Sequence, residues 1–438
     1  MSYCKYMFVF QMCIAVIGCG GSSGDVDIIT PEPPAPPAKN ERILELWGGT
    51  GERYLQGELW LPSENYDAAH VLMVPLHWSF LRSEQSFVQE DFVEFFTRYE
   101  RVFEETLDTH FQRRLQFFYL NTQFLKLIIQ SGAEFDEHQQ SLYKKILQNL
   151  EELWTNAEVT TYGGRVFSGG MRERLDFKLN EFAPNPEYAR AIFDEEFHFL
   201  SVSADIAFIT NALDLTQPVF LTEILSYAST LYAQESLLTD EGGWLFQPGV
   251  WSHYRDYRYA GNEILVPDLV EMILDDIATD SSHLHRMPLW LLSLRDAYSV
   301  QSDEYQLFDD LFGRLKWQFE NHILVSATAE FQAPRMNNYS DGRNGVYRYN
   351  YATVGDNLGY GPYQNSGNLM LSWYSFLKST KLKSDFSNMT FPLNDNILET
   401  YVGPNTTRER NPLVAWPAYF SNGFSELYVL MSQDIMAQ

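Results

Sequence analysis

The sequence predicts a mainly α-helical protein: an (α/α) toroid of five or six helical hairpins, with a small β-containing piece before it. Three observations predict it. Apolar residues recur with a helical period over most of residues 81–438. Helices with one apolar stripe alternate with helices apolar nearly all round, as expected of an outer and an inner layer. A Gly-aromatic turn also recurs. Gly163-Gly164-Arg165-Val166-Phe167 returns as Gly242-Gly243-Trp244-Leu245-Phe246, and Asp176-Phe177-Lys178 as Asp256-Tyr257-Arg258. The offsets of 79 and 80 residues leave room for one helical hairpin between copies. A looser third copy is Asn344-Gly345-Val346-Tyr347-Arg348.

The chain divides into four stretches. Residues 1–18 carry Lys5 and an apolar run from Met7 to Gly18 broken only by Gln11, a signal-peptide core too short for a permanent span. It closes on Val16-Ile17-Gly18-Cys19, which resembles the bacterial lipobox, with Val16 where Leu is commoner. The resemblance implies that Cys19 is acylated, becomes the first mature residue and holds the chain to a membrane. Residues 19–40 form a tether: flexible Gly20-Gly21-Ser22-Ser23-Gly24, then the stiffer Pro31-Glu32-Pro33-Pro34-Ala35-Pro36-Pro37. By the same resemblance, Gly20 rather than Asp implies the outer membrane. Cys4 and Cys13 leave with the signal peptide, so the exported domain is expected to hold no disulfide.

Residues 41–80 read as two or three short strands. Ile43, Leu44, Leu46 and Trp47 precede a turn at Gly48-Gly49, a second turn falls at Pro62-Ser63-Glu64-Asn65, and Val71-Leu72-Met73-Val74 follows. Residues 81–438 are the helical domain. Phe92, Phe95, Phe96, Tyr99 and Phe103 share one helix face. Leu115, Phe117, Phe118, Leu120, Phe124, Leu125, Leu127 and Ile128 make a helix apolar nearly all round. Leu142, Tyr143, Ile146, Leu147, Leu150, Leu153 and Trp154 return to one stripe. Further helices are predicted near 187–213, 218–236, 265–278, 285–299, 304–323, 364–378 and 412–433.

The net charge of −27 argues against a nucleic-acid partner, whose phosphates most of the surface repels. An aromatic content of 15% supplies a large core without disulfides. No cofactor is expected.

Chemistry concentrates in two helix-joining segments, 244–262 and 335–366. Loops of an acidic protein favour Glu, Asp, Ser and Lys; these favour Tyr, Trp, Arg, Asn and His. Aromatic rings stack on sugar faces, and Arg and Asn bind hydroxyls and carboxylates. The second segment, about 32 residues long, exceeds an ordinary connection. The residue types and layout resemble the α/α-toroid enzymes of polysaccharides, including polysaccharide lyases and glucuronyl epimerases. In those lyases Asn or Arg neutralises a uronate carboxylate, while Tyr or His moves protons. Asn337-Asn338-Tyr339 resembles an Asn-Asn-His-x-Tyr stretch of some alginate lyases, with Tyr in place of His. The candidate catalytic residues are Asn338, Tyr339, His253 and Tyr254. The candidate substrate-binding residues are Arg255, Arg343, Arg348, Trp244 and Trp251. The structural alternative is that Tyr and Arg only stiffen large loops.

Other constellations are weaker. Glu195-Glu196-Phe197-His198 holds one Glu-x-x-His where a di-iron bundle needs two. His283-Leu284-His285 follows Ser281-Ser282, which reads as a helix start rather than a metal-binding strand. Asp194, Glu195, Asp205 and Asp256 could supply a glycosidase carboxyl pair. Three functions follow: binding or β-elimination of an acidic polysaccharide, glycoside hydrolysis, or non-catalytic scaffolding of polysaccharide export or envelope assembly. An enzyme requires the two segments to converge on one cleft; a scaffold requires a flat patch or loops at opposite ends.

Overall fold

A computed structural model describes residues 38–81, 86–107, 110–161, 164–180 and 187–438. The signal peptide, Cys19 and the tether through residue 37 lie outside them, as does Gly163 of the first turn motif. Lys39–Gln438 is one unit and is mainly helical.

The first half contains α1 (Lys39–Gly49), α2 (Gly51–Leu55), α3 (Asn65–Ser79), α4 (Ser86–Val102), α5 (Phe111–Gln130), α6 (Glu137–Thr155), α7 (Gly170–Asn180), α8 (Asp194–Ala212) and α9 (Val219–Glu235). The second half contains α10 (Ser281–Leu284), α11 (Met287–Asp296), α12 (Asp303–Gln318), α13 (Thr380–Asn388), α14 (Asp395–Val402), α15 (Ala418–Ser421) and α16 (Phe424–Ile435). The helices predicted around Phe92–Phe103, Leu115–Ile128 and Leu142–Trp154 correspond to α4, α5 and α6. The last opens with a capping box between Asp136 and Gln139, which satisfies backbone donors at its first turn.

Burial separates the helices into two kinds. In α3, 13 of 15 residues are buried, and in α8, 15 of 19, so these helices meet protein on nearly every side. In α6 only 7 of 19 are buried, in one stripe. The buried helices are one another's neighbours. α16 packs on α3, α3 on α5, α5 on α8 and α8 on α11. α11 then packs on the 3-10 segment Trp373–Leu377, which packs on α16. The order of neighbours returns to its start. The one-sided α4, α6, α9 and α12 flank α3, α8, α8 and α11 respectively.

Among the described residues three two-stranded antiparallel ribbons follow one-sided helices. β1 (Val159–Thr160) pairs with β2 (Val166–Phe167) after α6, and β3 (Ser236–Leu238) pairs with β4 (Trp244–Phe246) after α9. β5 (Leu324–Val325) pairs with β6 (Arg335–Met336) after α12 and a π turn. The first two carry the described part of the repeated Gly-aromatic motif. The third copy read at Asn344–Arg348 is not a ribbon; there a single bridge joins Tyr347 to Tyr360.

The β-containing segment at 41–80 is not present: α1, α2 and α3 occupy it, and Lys39 and Asn40 of the tether already belong to α1. Ile43, Leu46 and Trp47 are the buried residues of α1, a helical spacing, while Leu44 faces solvent. Val71–Val74 is the all-round buried middle of α3, and a short apolar run fits a buried helix as well as a buried strand. The helix expected at 265–278 is also absent. Ile264, Val266, Val270 and Met272 are exposed, and the segment is held by Asn357 and Tyr349 on a neighbouring loop.

Candidate functional site

The N-termini of α8 and α11 and the short α10 share one end of the buried helices. Against that end the segments 244–262 and 335–366 fold onto each other. The backbone N–H of Val346 donates to Asn262 O at 2.9 Å, and that of Arg348 to Asp256 O at 3.0 Å. The rings of Tyr257, Tyr339 and Tyr347 sit with centroids 5.4–6.0 Å apart. The close approach depends on Gly345, where an added Cβ would lie 1.7 Å from the Ala260 carbonyl oxygen. Gly345→Ala is therefore expected to push the two segments apart at a cost of roughly 1–3 kcal/mol. A chemical denaturation midpoint indistinguishable from wild type would contradict this.

Between the segments and the helix ends lies a cleft of about 800 Å³, counted out to its open mouth. Four of the predicted residues line it: Trp251, Tyr254, Arg255 and Arg348. Trp251 stacks on Tyr257 and meets Tyr254 edge-on. Arg255, largely exposed, lies over the Tyr351 ring at the rim. Arg348 lies over the same ring at 4.6 Å and gives its Nε to Asp256 Oδ2 at 2.9 Å.

The other predicted residues are elsewhere. His253 is exposed and does not line the cleft; its carbonyl accepts from Arg258 Nε. Asn338 is fully buried, its Nδ2 donating to the carbonyls of Gly345 and Gly361 at 2.9 Å each. Tyr339 is buried too, its hydroxyl donating to Val346 O at 2.8 Å. These bonds hold the long segment in shape, which replaces the expectation that Asn338 and Tyr339 act on substrate. Arg343 ion-pairs Asp276 and Asp341 outside the cleft. Trp244 lies in the main core, its Nε1 donating to Ser236 Oγ.

The cleft also holds Asp194 and Asp256, two of the four carboxylates read from sequence as a glycosidase pair, while Glu195 and Asp205 do not line it. Asp280, His283, Tyr257 and Tyr351 are among the lining residues not chosen as site candidates from sequence. Asp280 caps α10, accepting the His283 backbone N–H at 3.0 Å. Its two oxygens also lie 2.8 and 2.9 Å from His283 Nδ1, and Tyr257 donates to it at 2.8 Å. Burial alone raises the Asp280 carboxyl. The His283 ring, Arg348 and the Ser282 hydroxyl outweigh it and hold the group well below the usual carboxylate range. A carboxylate on Nδ1 makes that nitrogen the donor and fixes the orientation of the ring. The helix start expected at Ser281-Ser282 is thus the device that orients His283. The signal was Asp280 three residues before His283, a capping spacing that also brings the ring back onto the carboxylate.

Asp194 opens α8 and ion-pairs buried Arg286. Burial opposes its ionisation, but Arg286, His283 and His198 hold it ionised below the usual range. Burial, with the Asp256 charge beside it, pushes the Tyr254 phenol up, so it carries its proton at neutral pH. Among the described residues no group of three or more His, Cys, Asp or Glu is placed to hold a metal. No described helix is long and apolar enough to cross a membrane.

No family model, no curated protein and no solved structure matches the chain.

Proposed function

We propose that the chain is a lipid-anchored envelope protein, held to the outer membrane through Cys19, whose helical domain binds an acidic polysaccharide and cleaves it by β-elimination. We read the domain as an (α/α) toroid. α3, α5, α8, α11, Trp373–Leu377 and α16 make its inner layer, and the closed order of their contacts supports that reading. The site then sits at the end where α8 and α11 begin.

One observation carries the chemistry. A base, a proton donor and a guanidinium line one cleft: His283 set by Asp280, protonated Tyr254, and Arg348, whose Nε pairs with Asp256 and whose terminal nitrogens make no hydrogen bond to the described residues. A uronate carboxylate on the Arg348 terminal nitrogens has its negative charge neutralised, which acidifies the neighbouring C5–H. His283 Nε2 takes that proton. Its electron pair becomes the new C4=C5 double bond, the C4–O bond to the next sugar breaks, and the leaving oxygen takes the Tyr254 proton. Tyr254 and Tyr351, partly exposed aromatics of the cleft, supply apolar surface for the sugar rings.

The test is to incubate the purified chain with a panel of uronate polysaccharides and follow ultraviolet absorbance of the unsaturated product. A rise on at least one is expected; none on any sinks the elimination. A second reading, glycoside hydrolysis, is favoured by the carboxylates of Asp194 and Asp256 in the same cleft. It gives new reducing ends without that absorbance. The anchor is tested separately. Cys19→Ala is expected to abolish incorporation of labelled fatty acid and to release the protein from membranes; unchanged labelling contradicts a lipid on Cys19.

A further inference from the structure

Asp256 is 5% exposed and lines the cleft, yet its two oxygens are treated differently. Oδ2 accepts from Arg348 Nε at 2.9 Å. Oδ1 accepts no hydrogen bond; its nearest cation is Arg255 Nε at 3.4 Å, on a side chain two-thirds exposed at the rim. A buried acceptor without a donor is costly to keep. The pair is also rigid. Arg348 ties to Asp256 twice, through its side chain and through its own backbone N–H on the Asp256 carbonyl. It does so in a left-handed conformation, φ +52°, which a residue with a Cβ adopts rarely and mostly where the surroundings impose it. The result is a fixed edge of two groups: the terminal guanidinium nitrogens of Arg348, which make no hydrogen bond to the described residues, beside Asp256 Oδ1, which accepts none and meets only the mostly exposed Arg255.

We infer that Asp256 and Arg348 together read one sugar, Arg348 taking its carboxylate and Asp256 Oδ1 accepting a hydrogen bond from a free hydroxyl on the same ring. This rests on the acidic-polysaccharide reading and narrows it. A carboxylate alone fills the donor half and leaves Oδ1 unsatisfied; a hydroxy acid fills both. The substrate is thus a uronate whose ring hydroxyl beside the clamp is unmodified. An O-acetyl group there removes the only hydrogen Oδ1 can accept. An O-sulfate removes that hydrogen too and sets an anion directly against the Asp256 carboxylate. The cleft therefore selects non-esterified, carboxylate-bearing glycans over sulfated ones, although both are acidic.

The experiment measures, by calorimetry, binding of galacturonate, mannuronate, guluronate and glucuronate-containing tetrasaccharides, each with and without O-acetyl groups, and of one sulfated tetrasaccharide. The full chain carries His283→Gln so that turnover does not obscure the heat. The expected result is at least one uronate bound tenfold or more tighter in its free than in its acetylated form, with the sulfated probe weaker still. Asp256→Asn, whose amide turns a donor toward the ligand when its oxygen keeps Arg348, is expected to lose that preference. Equal affinity for free and acetylated forms overturns the inference while leaving the acidic-polysaccharide reading in place. An undiminished preference in Asp256→Asn overturns the part assigned to Asp256. Failure of every uronate to bind overturns both. The comparison between ligands needs no variant at Asp256, so it decides the matter even where Asp256→Asn fails to fold.

Discussion

His283→Gln is expected to lower the rate of elimination by roughly 10²–10⁴-fold, the usual worth of a positioned acid or base. Substrate affinity is expected to stay near that of wild type. Glutamine keeps a donor for Asp280, so the cap of α10 and the burial of that carboxylate survive, but it has no lone pair able to take a proton at neutral pH. Steady-state kinetics on the best polymer of the panel, with melting temperatures alongside, separate the possibilities. A kcat within threefold of wild type removes His283 as the base. A loss of affinity with kcat unchanged makes it a binding residue instead. Tyr254→Phe is expected to fall in the same range, because the leaving oxygen then has no proton donor; its ring still covers the sugar, so binding changes little.

Acid is expected to unfold the domain over an unusually neutral window. Three buried histidines and the half-buried His77 are held neutral. Burial depresses His198 to about 4, with Arg286 adding to it; it depresses His285 to about 3, again with Arg286; and it depresses His77 to about 3, with Lys126 nearby. His70 lies well below its ordinary value for the same first cause, burial, and then the charge of Arg286. In the unfolded chain these groups titrate near 6.5. The unfolded state therefore binds more protons between about 6.5 and the folded values. Their contribution is complete above pH 6.5 and is lost as pH falls toward 4 and below. For His198 alone the shift corresponds to about 3 kcal/mol. That is a large fraction of a domain's 5–15 kcal/mol, so the melting temperature should drop steeply from pH 6.5 to pH 4. His77 is far from the cleft and hydrogen-bonds Gln123 at 2.9 Å, which makes it the position to test. In His77→Gln the acid midpoint is expected to move to lower pH. A midpoint that stays put, or moves up, shows that carboxylate titration governs acid unfolding.

The helices were legible where periodicity had length to declare itself. α5 reads as a buried helix over twenty residues, and α4 and α6 as one-sided ones. Legibility failed in short apolar runs. Val71–Val74 carries no period of its own, and Gly48-Gly49 ends α1 where a hairpin was expected. In the candidate site, loop composition led to Trp251, Tyr254, Arg255 and Arg348, because aromatic and arginine side chains are out of place on an acidic surface. It could not separate them from Asn338 and Tyr339, which have the same chemistry and spend it on backbone carbonyls inside the segment. Only burial tells a side chain that holds a loop from one that faces a ligand. Asp280 and His283 were hidden for another reason: in sequence they are an ordinary helix start, and the pairing of carboxylate with imidazole appears only when the turn is closed.

The most direct measurement is a crystal structure of His283→Gln with the tightest-binding oligouronate of the panel. The expected result is one sugar ring in the cleft, its carboxylate on the terminal nitrogens of Arg348 and its C5 within about 3–3.5 Å of the position His283 Nε2 takes in the wild-type protein. Oligosaccharide bound on another face of the domain, or in the cleft with its carboxylate turned away from Arg348, would contradict a uronate-cleaving site built from Arg348, Tyr254 and the Asp280–His283 pair.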